Sequence, residues 1–190
     1  MLDYYSLTLH RSQTEEFAGI PMLDLRAPAL SEYQRMVKRA FDLAVCGFFF
    51  PFILPVIGLT ALFIWLDDRG PIFYHAARMG ENGKIFRMHK FRTMVVDADQ
   101  QQEKVETRDE QGRLIHKSAQ DPRITRVGRF LRRSSLDELP QVFNVIMGEM
   151  SLVGPRPEMP YLVDQYVPWQ RKRFAVPQGL TGWWQVNGRS

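Results

Sequence analysis

The residues able to do chemistry are concentrated between Asp121 and Pro157, in DPRITRVGRFLRRSSLDELPQVFNVIMGEMSLVGPRP. At its centre, Asp137 and Glu138 form an acidic pair two residues before Pro140. Proline is tolerated in a helix only near its start, so both carboxylates are predicted in or beside a first turn. There the positive end of the helix favours an ionised Asp137. Neighbouring helical residues point about 100° apart, so the pair cannot act as a symmetric dyad. One carboxylate could face a substrate while the other holds a metal or a proton. Ser135 and Glu138 also fit a capping box, which gives Glu138 a purely structural reading. The loop Gly154–Pro157 then presents Arg156 from a rigid frame, and Gly179–Arg189 joins two tryptophans, amide donors and Arg189. That last set could stack on a base and clamp a phosphate, or form a packed turn.

Upstream, Asp121-Pro122 reads as a helix start. In the predicted helix Arg123, Arg126, Arg129, Arg132 and Arg133 lie on a solvent side, with Ile124, Val127, Phe130 and Leu131 on the other. The cationic strip fits a solvated face, anionic lipid heads or a polyphosphate. Other common chemistries lack their motifs. There is no CxxC pair, HExxH, GxSxG or GxxxxGK[ST], and the four histidines show no ligand spacing.

These residues need elements to position them. Ser31 and Gln34 predict a capped helix running into residues 44–66, which are 23 in number and carry no charge. Pro51 and Pro55 interrupt that run. Each removes a backbone donor and crowds the preceding turn, so a bend is expected there. Arg35, Lys38 and Arg39 precede the run, and Arg69, Arg78, Lys84, Arg87, Lys90 and Arg92 follow it. Basic flanks mark the cytoplasmic side. A helix that enters, breaks near Pro55 and returns keeps both clusters on that side. Its arms of about 12 residues, roughly 18 Å, are too short to cross ~30 Å of hydrocarbon. A single proline-kinked span is the alternative. Farther on, Pro71–Ala77 and Lys84–Arg92 read as two strands around a turn at Arg78–Gly83. Val95–Gln120 reads as a charged surface helix or loop, Phe17–Leu30 as a strand and linker, and residues 1–16 as weakly ordered.

The 190 residues suit one ordinary domain with a short appendage, and 45% hydrophobic with 24% charged residues is a globular balance. The single Cys46 excludes an internal disulfide. A net charge of +4, with 19 Arg against 6 Lys, suits an anionic partner or reflects codon bias.

KRAFD before the proline-containing apolar run, KFRTM, the long stretch from Asp121 to Val145, GEMSLVGPRP and GLTGWWQVNGR together resemble the bacterial sugar transferase family. These are the monotopic phosphoglycosyl transferases, or polyprenyl glycosylphosphotransferases, and the resemblance covers about residues 35–189. It is strongest to the long undecaprenyl-phosphate glucose or galactose phosphotransferases. The resemblance implies transfer of a sugar 1-phosphate from a UDP-sugar to undecaprenyl phosphate, with release of UMP. It places the enzyme on the cytoplasmic face of the bacterial inner membrane, in exopolysaccharide, capsule or O-antigen (lipopolysaccharide) synthesis. It implies no nucleic-acid partner and leaves a homo-oligomer open.

By motif position the resemblance makes Asp137 the nucleophile and Mg²⁺ ligand, forming a phosphosugar–aspartyl intermediate. Glu138 becomes its partner in metal binding or proton transfer. Arg156 contacts phosphate and Arg189 the nucleotide, with Lys90 and Arg92 as further phosphate contacts or interfacial anchors. The expected fold is α+β and mainly helical. A linker over residues 1–30 precedes an interfacial and re-entrant membrane helix over 31–66 and a catalytic domain over 67–190 that contains a β-hairpin. Departures from the family pattern are Leu54-Pro55 with the extra Pro51, Gln178 between Pro177 and Gly179, and an end at Ser190 where relatives continue. The catalytic domain is therefore expected to be C-terminally incomplete. A catalytically dead remnant serving as a membrane-bound interaction module is the alternative; a UDP-sugar pyrophosphatase is a third.

Overall fold

The computed structural model describes residues 13–17, 20–24, 29–98 and 121–182. Strand β1 (Gln13–Phe17) pairs antiparallel with β2 (Ile20–Asp24). Helix α1 (Glu32–Asp68) is followed by a hairpin of β3 (Phe73–Met79) and β4 (Ile85–Phe91). Then come α2 (Arg126–Ser134), a 3-10 turn at Leu136–Glu138, α3 (Gln141–Met147) and β5 (Ser151–Val153). The short helices α4 (Pro160–Val163) and α5 (Pro168–Arg171) lead through a 3-10 turn (Lys172–Ala175) to β6 (Gly179–Thr181), which pairs in parallel with β5. The fold is mixed helix and sheet, mainly helical, with the expected hairpin. Residues 13–16, expected to be weakly ordered, belong instead to β1, because this stretch finds a pairing partner in β2.

Helix α1 opens on the expected box: Ser31 N–H donates to Gln34 Oε1 at 3.0 Å and Gln34 N–H to Ser31 Oγ at 3.3 Å. Pro51 and Pro55 then lie inside one continuous 37-residue helix. The expected break into two arms is corrected here. Each proline deletes one bond of the ladder, and the surrounding ladder carries the helix past both defects. Asp42, Cys46, Ile57, Thr60 and Ile64 are buried at helical spacing. By contrast Phe48, Phe49, Phe52, Leu59, Phe63, Trp65 and Leu66 are at least 46% exposed. A soluble monomer rarely leaves so much contiguous apolar surface in water. By length and composition α1 is able to cross a membrane.

The described residues group into two compact units. One comprises residues 1–46, 77–86 and 145–190, the other 47–76 and 87–144. In the first unit, the KRAFD stretch of α1 is an anchor. Lys38 Nζ donates to the Val153 carbonyl at 2.9 Å. Arg39 donates to the Val145 and Ile146 carbonyls at 2.5 and 2.6 Å, satisfying acceptors in the last turn of α3. Buried Asp42 accepts from Ser151 Oγ at 2.7 Å and from the Leu152 N–H at 3.2 Å. Gly154 and Gly179 meet backbone to backbone, since a Cβ on Gly179 would lie 2.1 Å from the Gly154 nitrogen. That close approach fixes the loop carrying Arg156.

In the second unit, Phe73 stacks on Phe91 at 5.5 Å. Fully buried Asn144 joins α3 to β4: its Nδ2 donates to the Arg87 carbonyl at 2.8 Å, and its Oδ1 accepts from the His89 N–H at 2.9 Å. The expected helix start at Asp121-Pro122 is corrected to Arg126, capped by Thr125 Oγ1, which accepts from the Gly128 N–H at 2.9 Å. Residues 121–124 form a turn instead, with the Ile124 N–H donating to the Asp121 carbonyl at 3.1 Å, and residues 123–125 then pair with 93–95. Val95 N–H donates to the Arg123 carbonyl at 2.9 Å and Thr125 N–H to the Thr93 carbonyl at 3.2 Å. Asp121 accepts from the Arg123 backbone and guanidinium, and those bonds hold its carboxyl below the ordinary carboxylate range.

Candidate active site

Asp137 and Glu138 lie in the 3-10 turn that joins α2 to α3. The turn is sharp because Ser135 adopts left-handed backbone, φ 60° and ψ 16°. In this conformation the Ser135 side chain makes no cap bond, so the expected capping box is absent. Glu138 is thereby released toward β4. Lys90 Nζ donates to Glu138 Oε1 at 2.9 Å and lies 3.8 Å from Asp137 Oδ2. All three side chains are largely withdrawn from water, at 15–22% exposure. Burial pushes the Asp137 carboxyl above its ordinary pKa; Lys90 opposes that, Glu138 adds to it, and Arg132 opposes it again.

Arg132 is held by Thr93, its Nε donating to Thr93 Oγ1 at 2.9 Å. The sequence places Arg132 only in the solvent-side strip and Thr93 only in the KFRTM motif; the structure brings both beside the Asp137 turn, Arg132 on the bound face of α2. The usable signal was Gly128, four residues before Arg132 on the same helical face. A Cβ there would sit 2.1 Å from the Thr93 carbonyl oxygen, so only glycine lets α2 approach the segment that follows β4. The expected two-sided helix is corrected at Phe130, which is 64% exposed rather than packed, and at Arg123, which bonds Asp121 ahead of the helix.

Of the other expected site residues, Arg92 is buried at 8% exposure and ion-paired with Asp68, the last residue of α1. Arg156 belongs to the first unit, where its carbonyl accepts from Arg173 Nη2 at 3.1 Å. Tyr166 completes this support by donating its hydroxyl to Glu158 Oε2 at 3.2 Å. Arg189, like the whole stretch 183–190, lies outside the described residues. So do residues 99–120 of the expected charged segment.

Among the described residues no group of three or more His, Cys, Asp or Glu side chains is arranged to hold a metal ion. A magnesium ion does not require one. It commonly takes one or two carboxylates and completes its shell with water and substrate phosphates. Asp137 with Glu138 meets that smaller requirement. Chemically, the cluster is a desolvated carboxylate flanked by an ammonium and a guanidinium. That combination suits nucleophilic attack on an anionic phosphoryl centre, where cations must offset like-charge repulsion.

A family model described as bacterial sugar transferase matches residues 33–190. An undecaprenyl-phosphate glucose phosphotransferase of Komagataeibacter xylinus is 40% identical over 94% of this chain and 33% of its own. A UDP-glucose:undecaprenyl-phosphate glucose-1-phosphate transferase of Escherichia coli K12 is 39% identical over 98% of this chain and 38% of its own. An undecaprenyl-phosphate galactose phosphotransferase of Salmonella typhimurium is 40% identical over 82% of this chain and 33% of its own. The chain thus spans about a third of the length of these relatives. With the family model matched over residues 33–190, and the Asp137–Glu138 turn inside that match, the chain belongs to the bacterial sugar transferase family.

Proposed function

We propose that the protein transfers a sugar 1-phosphate from a UDP-sugar to undecaprenyl phosphate at a membrane surface. The observation that carries this reading is the half-buried Asp137 with Lys90 Nζ at 3.8 Å, within a chain of this family. An Asp137 carboxylate oxygen attacks the sugar-bearing phosphorus of the donor. A phosphorus–oxygen bond to Asp137 forms, the diphosphate bridge breaks, and UMP leaves. A phosphate oxygen of the lipid then attacks the same phosphorus, the bond to Asp137 breaks, and the lipid diphosphosugar departs. Splitting the transfer lets one nucleophile serve a soluble donor and a lipid acceptor in turn.

Desolvation raises the basicity of the Asp137 carboxylate and with it its nucleophilicity, while Lys90 opposes that shift and favours the ionised form. Lys90 also holds Glu138, which accepts a proton from the lipid phosphate as it attacks. Asp137 and Glu138 would hold Mg²⁺, which when bound would neutralise diphosphate charge. Arg156 and Arg189 serve as donor phosphate and nucleotide contacts. The homologues' names point to glucose or galactose as the sugar.

Helix α1 seats the protein in the cytoplasmic leaflet of the bacterial inner membrane as a re-entrant helix; the bend this needs would lie at Pro51 and Pro55 and would curve the helix without interrupting it, since the helix is continuous through both prolines. Basic residues on both flanks support that topology. Cysteines placed at positions 33 and 69 are expected to label from the cytoplasmic side only; labelling from opposite sides would show a crossing helix instead.

The activity is tested by incubating protein with Mg²⁺, a panel of UDP-sugars and undecaprenyl phosphate while UMP is followed. Lipid-dependent UMP release that vanishes in Asp137→Asn supports the proposal. UMP release that persists without lipid identifies a pyrophosphatase, and release unaffected by Asp137→Asn removes Asp137 from its role.

A further inference from the structure

Helix α2 is bound along one face and open along the other. Its bound face is clamped to a single residue, Thr93, two residues beyond the end of β4. Thr125 N–H donates to the Thr93 carbonyl, Gly128 backs onto that carbonyl, and Arg132 Nε donates to the Thr93 hydroxyl. Thr93 follows Arg92, whose guanidinium is ion-paired with Asp68 at the end of α1. The orientation of α2 is therefore tied to the point where the exposed apolar helix ends. On the opposite face Arg126, Arg129, Phe130 and Arg133 are all exposed, at spacings of three, four and seven residues. Neither α2 nor its first turn carries an acidic residue. Arg126, Arg129 and Arg133 form no ion pair among the described residues.

We propose that this face of α2 is a contact surface for the headgroups of anionic phospholipids. Three arginines on one helical stripe offer donors that match phosphate oxygens, with aliphatic stems long enough to reach out from the helix. Phe130, in their midst, supplies an aromatic ring of the kind that lodges at the boundary of headgroup and acyl chain. One exposed apolar residue is ordinary on a solvated face, but Phe130, 64% exposed, lies within a stripe of three arginines that has no acidic residue to pair with them, and that combination suits an anionic interface. A cytosolic protein partner would not require the face to be fixed relative to the end of α1. Contact there would hold the Asp137 turn, which directly follows α2, at the depth of lipid phosphates.

This inference rests on the membrane reading of α1, so its test separates the two. A nitroxide is placed at Phe130→Cys or, as the reference, at Phe52→Cys on the exposed face of α1. Buried Cys46 stays in place, and mass spectrometry checks single labelling. Collision rates with oxygen and with a nickel chelate are measured in nanodiscs of phosphatidylcholine with or without phosphatidylglycerol. The expected result is oxygen-rich contact at Phe52 in both lipids. At Phe130 a severalfold gain of oxygen over nickel contact is expected only with phosphatidylglycerol. That gain is lost when Arg126, Arg129 and Arg133 are all changed to Gln. Water-exposed spectra at Phe130 in both lipids, with Phe52 in lipid, overturn the inference and leave the membrane reading intact. Shielding of Phe130 from both reagents overturns it by placing protein on this face, such as residues 99–120. Equal lipid contact in both membranes removes the anionic headgroup. Aqueous contact at Phe52 overturns the membrane reading itself.

Discussion

Lys90 Nζ stands 2.9 Å from Glu138 Oε1 and 3.8 Å from Asp137 Oδ2, so one ammonium from β4 serves two adjacent carboxylates unequally. Glu138 is held by a direct bond, while Asp137 receives the field without being tied up. A nucleophile needs this combination, because a carboxylate locked in a short ion pair would have to break it before attacking. Lys90→Ala is expected to lower UMP release by about 10²- to 10³-fold, the usual effect of losing one preorganised charged donor. Lys90→Arg is expected to recover part of it. Equal rates for wild type and Lys90→Ala, with thermal unfolding unchanged, would remove the ammonium from the chemistry.

Asp137 also predicts a pH dependence. Its carboxyl pKa is raised, with burial the leading cause. In the metal-free protein the Asp137 carboxyl should therefore titrate with a midpoint above the ordinary carboxylate value of about 3.9. Carbon-13 NMR titration of that carboxyl in metal-free protein, assigned with Asp137→Asn, checks this. A midpoint at or below the ordinary carboxylate value would contradict it.

The same burial has a cost in stability. A carboxyl whose folded pKa is raised stabilises the fold only while protonated, and that contribution is lost as pH rises through the folded value. At neutral pH the buried charge therefore disfavours folding, and Asp137→Asn should raise the melting temperature. The gain should shrink as pH falls toward the unfolded carboxyl pKa. Calorimetry in detergent at two pH values measures it; a lower melting temperature for Asp137→Asn at neutral pH would show that its ion pairing outweighs its desolvation.

Gly128 and Thr125 separate packing from capping. A methyl group on Gly128 would lie 2.1 Å from the Thr93 carbonyl, with no flexible group to give way. Gly128→Ala should cost about 1–3 kcal/mol, as overpacking does. Thr125→Ala removes only the bond to the Gly128 N–H and should cost about 1 kcal/mol. Gly128→Ala should also lower activity, because it pushes Arg132 off Thr93. Denaturant unfolding in micelles ranks the two, and a milder Gly128→Ala would contradict the close approach.

Much of this is legible in the sequence. The Ser31–Gln34 box, the long apolar helix, the hairpin and the position of Asp137 and Glu138 near the start of α3 all follow from short-range rules. What escaped depends on tertiary contacts. The continuity of α1 through Pro51 and Pro55 was hidden because each proline is locally disruptive, whereas the outcome depends on the ladder around it. Ser135 and Glu138 spell a capping box, but the left-handed backbone at Ser135 turns the hydroxyl out of capping position and delivers Glu138 to Lys90, 48 residues away. Asp121-Pro122 spells a helix start, yet a turn at this point and the pairing of residues 123–125 with 93–95 delay the helix. KRAFD was readable as a family signature but not as an anchor, since its hydrogen-bond partners lie more than a hundred residues downstream.

The central claim is that Asp137 takes the sugar phosphate onto itself, and it is tested most directly by supplying donor without acceptor. Protein is incubated with Mg²⁺ and a UDP-sugar that supports turnover, quenched in acid, digested and read by mass spectrometry. The account predicts one equivalent of UMP in solution and a hexose phosphate on the peptide carrying Asp137, discharged when undecaprenyl phosphate is added. Unmodified Asp137 in protein that turns over once lipid is present would contradict it.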